Sequence, residues 1–238
     1  MRFSASGGEL LGHRSCYKIN VFRRPRLAKV GVWLALAAMV GVTAGAKLAD
    51  PTNSLPSPSL AGQQNVVLAG GCFWGVNAVF QHIKGVSKVL SGYAGGDLAS
   101  PSYEAVSRGT TGHAEAVSIS YDPAKIAYSQ LLEVFFSVAH DPTEKNRQGP
   151  DSGTQYRSAI FYANEAQKEQ ALAYIDQLNK ARAFPALIVT EVVPLKQFYP
   201  AEDYHQNYLA RHPRQPYIVI NDLPKLQALR QRFPALYQ

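Results

Sequence analysis

The chemistry of this chain concentrates on Cys72, which follows a glycine pair and precedes an aromatic pair in Gly70-Gly71-Cys72-Phe73-Trp74-Gly75. The apolar run Val66-Val67-Leu68-Ala69 reads as a short buried strand, and the glycines that stop it permit a tight turn. Val76, Val79, Phe80 and Ile83 then recur at helical spacing, so Cys72 falls at the first turn of a helix. Unpaired backbone N–H groups and the positive end of the helix dipole favour a thiolate there, the nucleophilic form of cysteine. A lone cysteine is otherwise a small buried hydrophobe. The flanking glycines and the aromatic pair, read as exposed, favour an activated nucleophile instead.

Two further segments are rich in polar groups that a buried core would not choose. Gly109-Thr110-Thr111-Gly112-His113-Ala114-Glu115-Ala116-Val117 sets a carboxylate at the entry to a strand. Asp151-Ser152-Gly153-Thr154-Gln155-Tyr156-Arg157-Ser158 sets a carboxylate and a phenol before another. Taken singly, Glu115 is a solvated strand-edge acid and Asp151 a turn residue. Combined with an activated cysteine, they supply a nucleophile, a general acid and hydroxyl donors, which is a complete minimal site.

The elements that must position these groups alternate between strand and helix character from Asn65 onward. Val86 to Tyr93 reads as a strand ending at Gly95-Gly96, and Val117 to Tyr121 alternates with period two until Asp122-Pro123. Residues 125–139 are amphipathic, with Leu131, Leu132, Phe135 and Phe136 on the apolar stripe. Ser158 to Tyr162 is a strand, Asn164 caps a helix running to about Arg182, Leu187 to Val193 is a strand, and 202–211 is a short helix. The mixture lacks regular βαβ repeats, so the expected fold is α+β, a two-layer α/β sandwich with a mixed sheet.

The chain has 238 residues, 46% of them hydrophobic and 17% charged, enough to bury one good-sized core. Its net charge of +7 suggests nucleic acid, but the charge is not on the body. Residues 1–50 hold 8 of the 24 Lys+Arg and 2 of the 17 Asp+Glu, leaving 16 against 15 for the rest. A near-neutral body has no footprint for phosphate backbones. Two cysteines exclude a disulfide scaffold and a four-thiolate zinc site, and no His-x-x-x-His spacing supports another metal.

The first 46 residues read as a leader. Arg23-Arg24-Pro25-Arg26-Leu27-Ala28-Lys29 precedes an uncharged apolar run from Val30 to Ala46, closed by Ala44-Gly45-Ala46. That pattern fits a cleaved signal peptide or an uncleaved anchor. Either delivers the body across the membrane, to the periplasm or facing outward, a reading ahead of cytoplasmic residence. Residues 47–64 are a Pro/Ser-rich flexible linker. No coiled-coil seam appears, so the expected state is a monomer.

Five stretches together resemble the peptide methionine sulfoxide reductase A family. They are Gly71-Cys72-Phe73-Trp74-Gly75, Gly112-His113-Ala114-Glu115-Ala116-Val117, His140-Asp141-Pro142, Gly153-Thr154-Gln155-Tyr156-Arg157-Ser158 and Ala201-Glu202-Asp203-Tyr204-His205-Gln206. The resemblance covers most of the body and implies a catalytic domain over 65–213, a ferredoxin-like α/β plait, followed by a tail over 214–238. It implies reduction of the S epimer of methionine sulfoxide, free or in proteins, with Cys72 as nucleophile passing through a sulfenic acid and Glu115 as the acid. Tyr103 and Tyr156 match the phenols that bond the sulfoxide oxygen, Asp151 the acid supporting them, and Phe73 and Trp74 the apolar walls that hold the substrate methyl group. No cofactor or metal is implied.

Many members carry resolving cysteines in a C-terminal tail, whereas here the tail has none and the only other thiol is Cys16. A cleaved leader removes Cys16, and an anchored one holds it across the membrane from Cys72. The expected enzyme is therefore of one-cysteine type, its sulfenic acid reduced by an external thiol such as thioredoxin, glutaredoxin or a small thiol. The rival reading is a cysteine hydrolase or acyltransferase, with His113 or His140 as base beside Cys72.

Overall fold

The computed structural model describes residues 62–238; the expected leader and nearly all of the linker lie outside the described residues. In chain order the elements are β1 (Gln64–Gly70), α1 (Phe73–Gln81), β2 (Val86–Ala94), α2 (Tyr103–Ser107), β3 (Ala114–Tyr121) and α3 (Tyr128–Val134). A two-residue hairpin follows, β4 (Arg147–Gln148) with β5 (Asp151–Ser152), and then β6 (Ser158–Tyr162), α4 (Glu165–Lys180), β7 (Glu191–Pro194), β8 (Phe198–Pro200), α5 (Tyr208–Arg211) and α6 (Leu223–Arg232).

Six strands form one sheet in the order β7-β6-β1-β3-β2-β8. β7 runs parallel to β6 and every other neighbouring pair is antiparallel. The sheet is therefore mixed. Its inner four strands trace β1-α1-β2-β3-α3-β6 with β1 between β3 and β6, which is the α/β plait expected from the resemblance.

Both faces of β1 are covered, which explains its unbroken apolar run. Leu68 lies opposite Val117 on one side and Ile160 on the other, so these side chains share a face with Val66 and Ile119. The opposite face is a layer of small residues, Ala69, Ala94, Ala114, Ala116 and Ala159 with Val67 and Phe161, under Val193, Leu195 and Phe198. Alanines there let the β7–β8 segment approach the sheet closely.

α1 is buried along almost its whole length because it has the sheet on one side and α5 and α6 on the other. Residues 214–238 run back along it. Ile218 and Leu229 are fully buried, each contributing on the order of 1.5–3 kcal/mol of burial. The chain end closes on the far end of α1, where Lys84 N–H bonds Leu236 C=O at 2.8 Å and Gln238 N–H bonds His82 C=O at 3.0 Å.

Local expectations meet the structure with instructive exceptions. Asn164 Oδ1 accepts the Gln167 N–H at 2.9 Å, the expected cap of α4. The helix expected over 125–139 is α3 followed by a π-helical turn, Phe135–Ala139. Leu187 to Thr190 is not strand, since its amides are used elsewhere: Ile188 N–H by Asn179 Oδ1 at 3.0 Å and Val189 N–H by Pro142 C=O at 2.9 Å. The helix expected over 202–211 breaks into a 3-10 turn, Asp203–His205, and α5. Asn207 between them is left-handed, with φ +53°, and Gln206 bonds Ser91 through both amide atoms instead of facing a helix neighbour. Among the described residues no helix is long and apolar enough to cross a membrane.

Candidate active site

Cys72 occupies the N-cap position of α1 and is buried. The preceding glycine is demanded twice. Gly71 has φ +89°, a region that only glycine enters readily, and a Cβ on it would lie 2.5 Å from both Cβ and Cγ of Gln148. Gln148 belongs to β4, opposite Asp151 in β5, and its side chain is clamped to the Asp141 backbone. The missing side chain at Gly71 thus lets the Asp151 hairpin lie against the nucleophile turn.

Glu115 reaches the same turn from β3. It is buried, and its Oε2 accepts the Phe73 backbone N–H at 3.0 Å, one of the orphan donors of the first helical turn. A carboxyl group is therefore fixed one residue from Cys72 at the start of α1.

An aromatic shell covers this end of the helix. Phe73 and Trp74 are buried rather than exposed, because residues 202–217 fold over them. Trp74 stacks on Tyr208 at 3.7 Å with an interplanar angle of 6°, and its Nε1–H donates to His205 Nδ1 at 3.1 Å. The His205 ring also meets Phe73 at 5.0 Å and Tyr103 at 4.3 Å. Tyr103 is brought here by α2, whose cap is Ser102 Oγ accepting the Ala105 N–H at 3.3 Å. Glu202 clamps that helix start: Oε1 accepts the Tyr103 N–H and Oε2 the Tyr93 hydroxyl, both at 2.8 Å. Burial pushes the Glu202 carboxyl up, but the Tyr103 N–H and the other donors outweigh it and hold the group below its ordinary value.

Asp151 lies on the other side of the nucleophile turn and is buried, with Oδ2 accepting the Tyr217 hydroxyl. Burial raises its carboxyl pKa against the lowering influence of that bond and of Lys225. Burial also raises the Tyr217 phenol, helped by the charges of Cys72, Asp151 and Asp222, so Tyr217 is a fixed donor to Asp151. Its ring meets Trp74 edge-on at 5.9 Å. Tyr156 is buried in the turn Thr154–Tyr156. That turn is tied to the α2 region, with Gln155 Nε2–H donating to Ser107 C=O at 3.2 Å and the Thr154 hydroxyl to Gly109 C=O at 3.1 Å.

The structure thus links Cys72, Phe73, Trp74 and Glu115 directly at one helix end. Asp151 joins through Gly71 and Tyr217, and Tyr103 through His205. Tyr156 sits in the neighbouring loop. Three neighbours of the site escaped sequence reasoning, Tyr217, Asp222 and Lys225, and Glu202 stood in a matched stretch without a role. The only signal for those three is Asn221-Asp222-Leu223-Pro224, a helix-start pattern, which says nothing of what the helix touches.

The hydrolase or acyltransferase alternative fails on its base. His113 accepts from Gly96 N–H at 3.2 Å and bonds Leu98 C=O at 2.9 Å through its other ring nitrogen. His140 bonds Phe135 C=O at 3.0 Å and Ser158 Oγ at 2.7 Å, and burial lowers its pKa to about 3. Both imidazoles are fully used as structural links and neither is available to take a proton from a thiol. Among the described residues no three His, Cys, Asp or Glu side chains are grouped to hold a metal ion. A cleft of about 330 Å³ lies at the opposite end of α1, lined by Gln81, Lys88, Gln206, Asn207 and Gln238 among others, and holds none of the groups above.

Comparison with known proteins agrees with this geometry. The family model for peptide methionine sulfoxide reductase matches residues 64–236. "Peptide methionine sulfoxide reductase MsrA 2" of Mesorhizobium japonicum is 61% identical over 176 residues, covering 74% of this chain and 90% of the relative. The protein of the same name from Synechocystis sp. is 52% identical over 177 residues, covering 74% and 83%. Among solved structures, reduced Mxr1 from Saccharomyces cerevisiae superposes with TM-score 0.59 at 35% identity, covering 67% of this chain and 90% of that one. Methionine sulfoxide reductase A of Corynebacterium diphtheriae superposes with TM-score 0.57 at 36% identity, covering 66% and 78%. This chain belongs to the peptide methionine sulfoxide reductase A family, the thiol-dependent reductases of methionine sulfoxide.

Proposed function

We propose that this enzyme reduces the S epimer of methionine sulfoxide by attack of the Cys72 thiolate on the sulfoxide sulfur, with Glu115 delivering the proton. The oxygen leaves the substrate as its S–O bond breaks and ends on the Cys72 sulfur, giving methionine and a Cys72 sulfenic acid. The substrate sulfur gains two electrons and the cysteine sulfur loses them. The observation that carries this reading is the Glu115 Oε2 contact with the Phe73 N–H at 3.0 Å, which fixes an acid one residue from the nucleophile. Tyr103 and Tyr156 are the donors to the sulfoxide oxygen, Asp151 supports them, and Phe73 and Trp74 wall the methyl group. A pocket with fixed polar and apolar sides accepts one hand of a chiral sulfur.

Regeneration is assigned to an external thiol of the thioredoxin, glutaredoxin or small-thiol class, because Cys72 is the only cysteine after Cys16. A first thiol displaces water from the sulfenic acid to form a mixed disulfide, and a second releases Cys72 as thiol. The leader is assigned to export. Support for this is the basic cluster ending at Lys29 followed by the apolar run to Ala46. Cell fractionation with N-terminal sequencing checks it, and full-length protein in the cytoplasm overturns it.

The deciding experiment treats the full chain and Cys72→Ser with excess dithiothreitol and separated epimers of a blocked methionine sulfoxide. Methionine from the S epimer alone, abolished by the substitution, is the expected result. Equal turnover of both epimers, or activity in Cys72→Ser, overturns the reading. A Cys16–Cys72 disulfide in protein isolated from cells overturns the one-cysteine assignment.

A further inference from the structure

The least accounted-for charges in the fold stand beside the nucleophile helix. Asp222 ends the π-helical turn Ile218–Asp222 and leads into α6, and it is fully buried. Its carboxylate lies directly on α1 at Gly75, where a Cβ would come within 2.1 Å of Asp222 Oδ1 and 2.9 Å of Lys225 Nζ. The third residue after Cys72 is thus a glycine that admits an ion pair from the C-terminal segment. Lys225 Nζ bonds Oδ1 at 3.4 Å, while Oδ2 is buried without a hydrogen-bond partner. Burying a carboxylate with one oxygen unbonded is unfavourable, and an apolar side chain would serve packing better. Its place against the first turns of α1 calls for a role in the site.

The groups facing Asp222 are few. Lys225 comes from α6 and Asp151 from β5, while Tyr217 begins the same segment and senses the charges of Asp222, Asp151 and Cys72 together. His140, after the π-helical turn Phe135–Ala139, faces Lys225 and is held neutral by burial. Cys72, Asp151 and Asp222 thus all bear on Tyr217, while Lys225 bears on both Asp151 and Asp222.

We propose that Asp222 and Lys225 are positioning residues that set the ionisation of the Cys72 thiol, Lys225 favouring the thiolate and Asp222 opposing it. The inference rests on Cys72 being the reductase nucleophile. Burial pushes Asp222 up to about 6, so it changes charge in the range where the thiol must work.

The test is the pH profile of Cys72 alkylation by iodoacetamide in the full chain, followed by mass spectrometry of the Cys72 peptide. Asp222→Asn moves the midpoint down by about one pH unit, because a neighbouring negative charge is lost while Lys225 remains. Lys225→Met moves it up, and Lys225→Arg restores the wild-type position. Midpoints within roughly 0.2 of wild type, or shifts of the same sign in the first two variants, overturn the proposal. Lys225 is partly exposed, so Lys225→Met alone decides the matter if Asp222→Asn does not fold. The wild-type assay on the S epimer separates the two readings. An active enzyme with unmoved midpoints removes only the ion-pair role, and shifted midpoints in a protein that reduces no sulfoxide remove only the reductase chemistry.

Discussion

Replacing Gly71 by alanine tests how closely fold and site are coupled. Two effects add. The left-handed backbone at φ +89° penalises an L side chain by about 1–2 kcal/mol. The new Cβ would also sit 2.5 Å from Gln148 Cβ and Cγ, the near end of a side chain whose amide is clamped to Asp141, so the hairpin backbone must retreat by about 1 Å to reach ordinary contact. Asp151 pairs with Gln148 and moves with it, weakening the Tyr217–Asp151 bond by a further 1–3 kcal/mol or so. The sum is about 2–5 kcal/mol, or roughly 4–20 °C of melting temperature for a body of this size. Gly149→Ala is the control. It shares a positive φ of +54° but has nothing within 4 Å of the new Cβ, so it isolates the backbone effect. Thermal melts and single-turnover reduction of the S epimer are compared in the two variants. If Gly71→Ala loses no more stability and no more activity than Gly149→Ala, the coupling through Gln148 is wrong.

Three further outcomes follow from the same geometry. Glu115→Gln keeps an acceptor for the Phe73 N–H and so keeps the fold, while methionine formation falls about 10²–10⁴-fold with Cys72 still alkylated; a loss under tenfold excludes Glu115 as the acid. Tyr217→Phe leaves the buried Asp151 carboxyl short of a donor and lowers stability by about 1–3 kcal/mol in urea, and an unchanged midpoint contradicts this. Asp222 supplies a pH dependence. Its carboxyl rises from 3.8 to about 6 on folding, so the native state binds more protons between those values and stability falls as pH rises through that window, by about 3 kcal/mol. His140, lowered to about 3, contributes with the opposite sign between there and its ordinary 6.5. The difference between wild type and Asp222→Asn cancels that contribution, and parallel stability curves from pH 4 to 7 refute the assignment.

Where local pattern and tertiary packing agree, the sequence is a sufficient guide. β1 and α1 are legible because an apolar run, two glycines and a helical repeat follow one another around Cys72. β6 and the capped start of α4 are equally local. The residue types of the candidate site, Cys72, Glu115, Asp151 and the phenols, stand out because polar groups beside buried strands need a reason. By contrast, 187–190 and 202–211 have the composition of regular elements but give their amides to Pro142, Asn179 and Ser91, partners that no periodicity reveals.

The sequence by itself determined that a cysteine would sit at a strand-to-helix turn, which acids and phenols were candidates to serve it, and that no second thiol follows Cys72. Only the tertiary structure decided which groups meet. The Glu115 contact with Phe73 spans 42 residues and the Tyr217 bond to Asp151 spans 66. The first depends on β3 lying beside β1 in the sheet, and the second on residues 214–238 folding back along α1. A side chain's period reports that it is buried, not against what, and pairing across a sheet or onto a returning helix is set by the packing of the whole core. For that reason residues 214–238, a tail without cysteine in the sequence, supply Tyr217, Asp222 and Lys225 to the neighbourhood of the nucleophile.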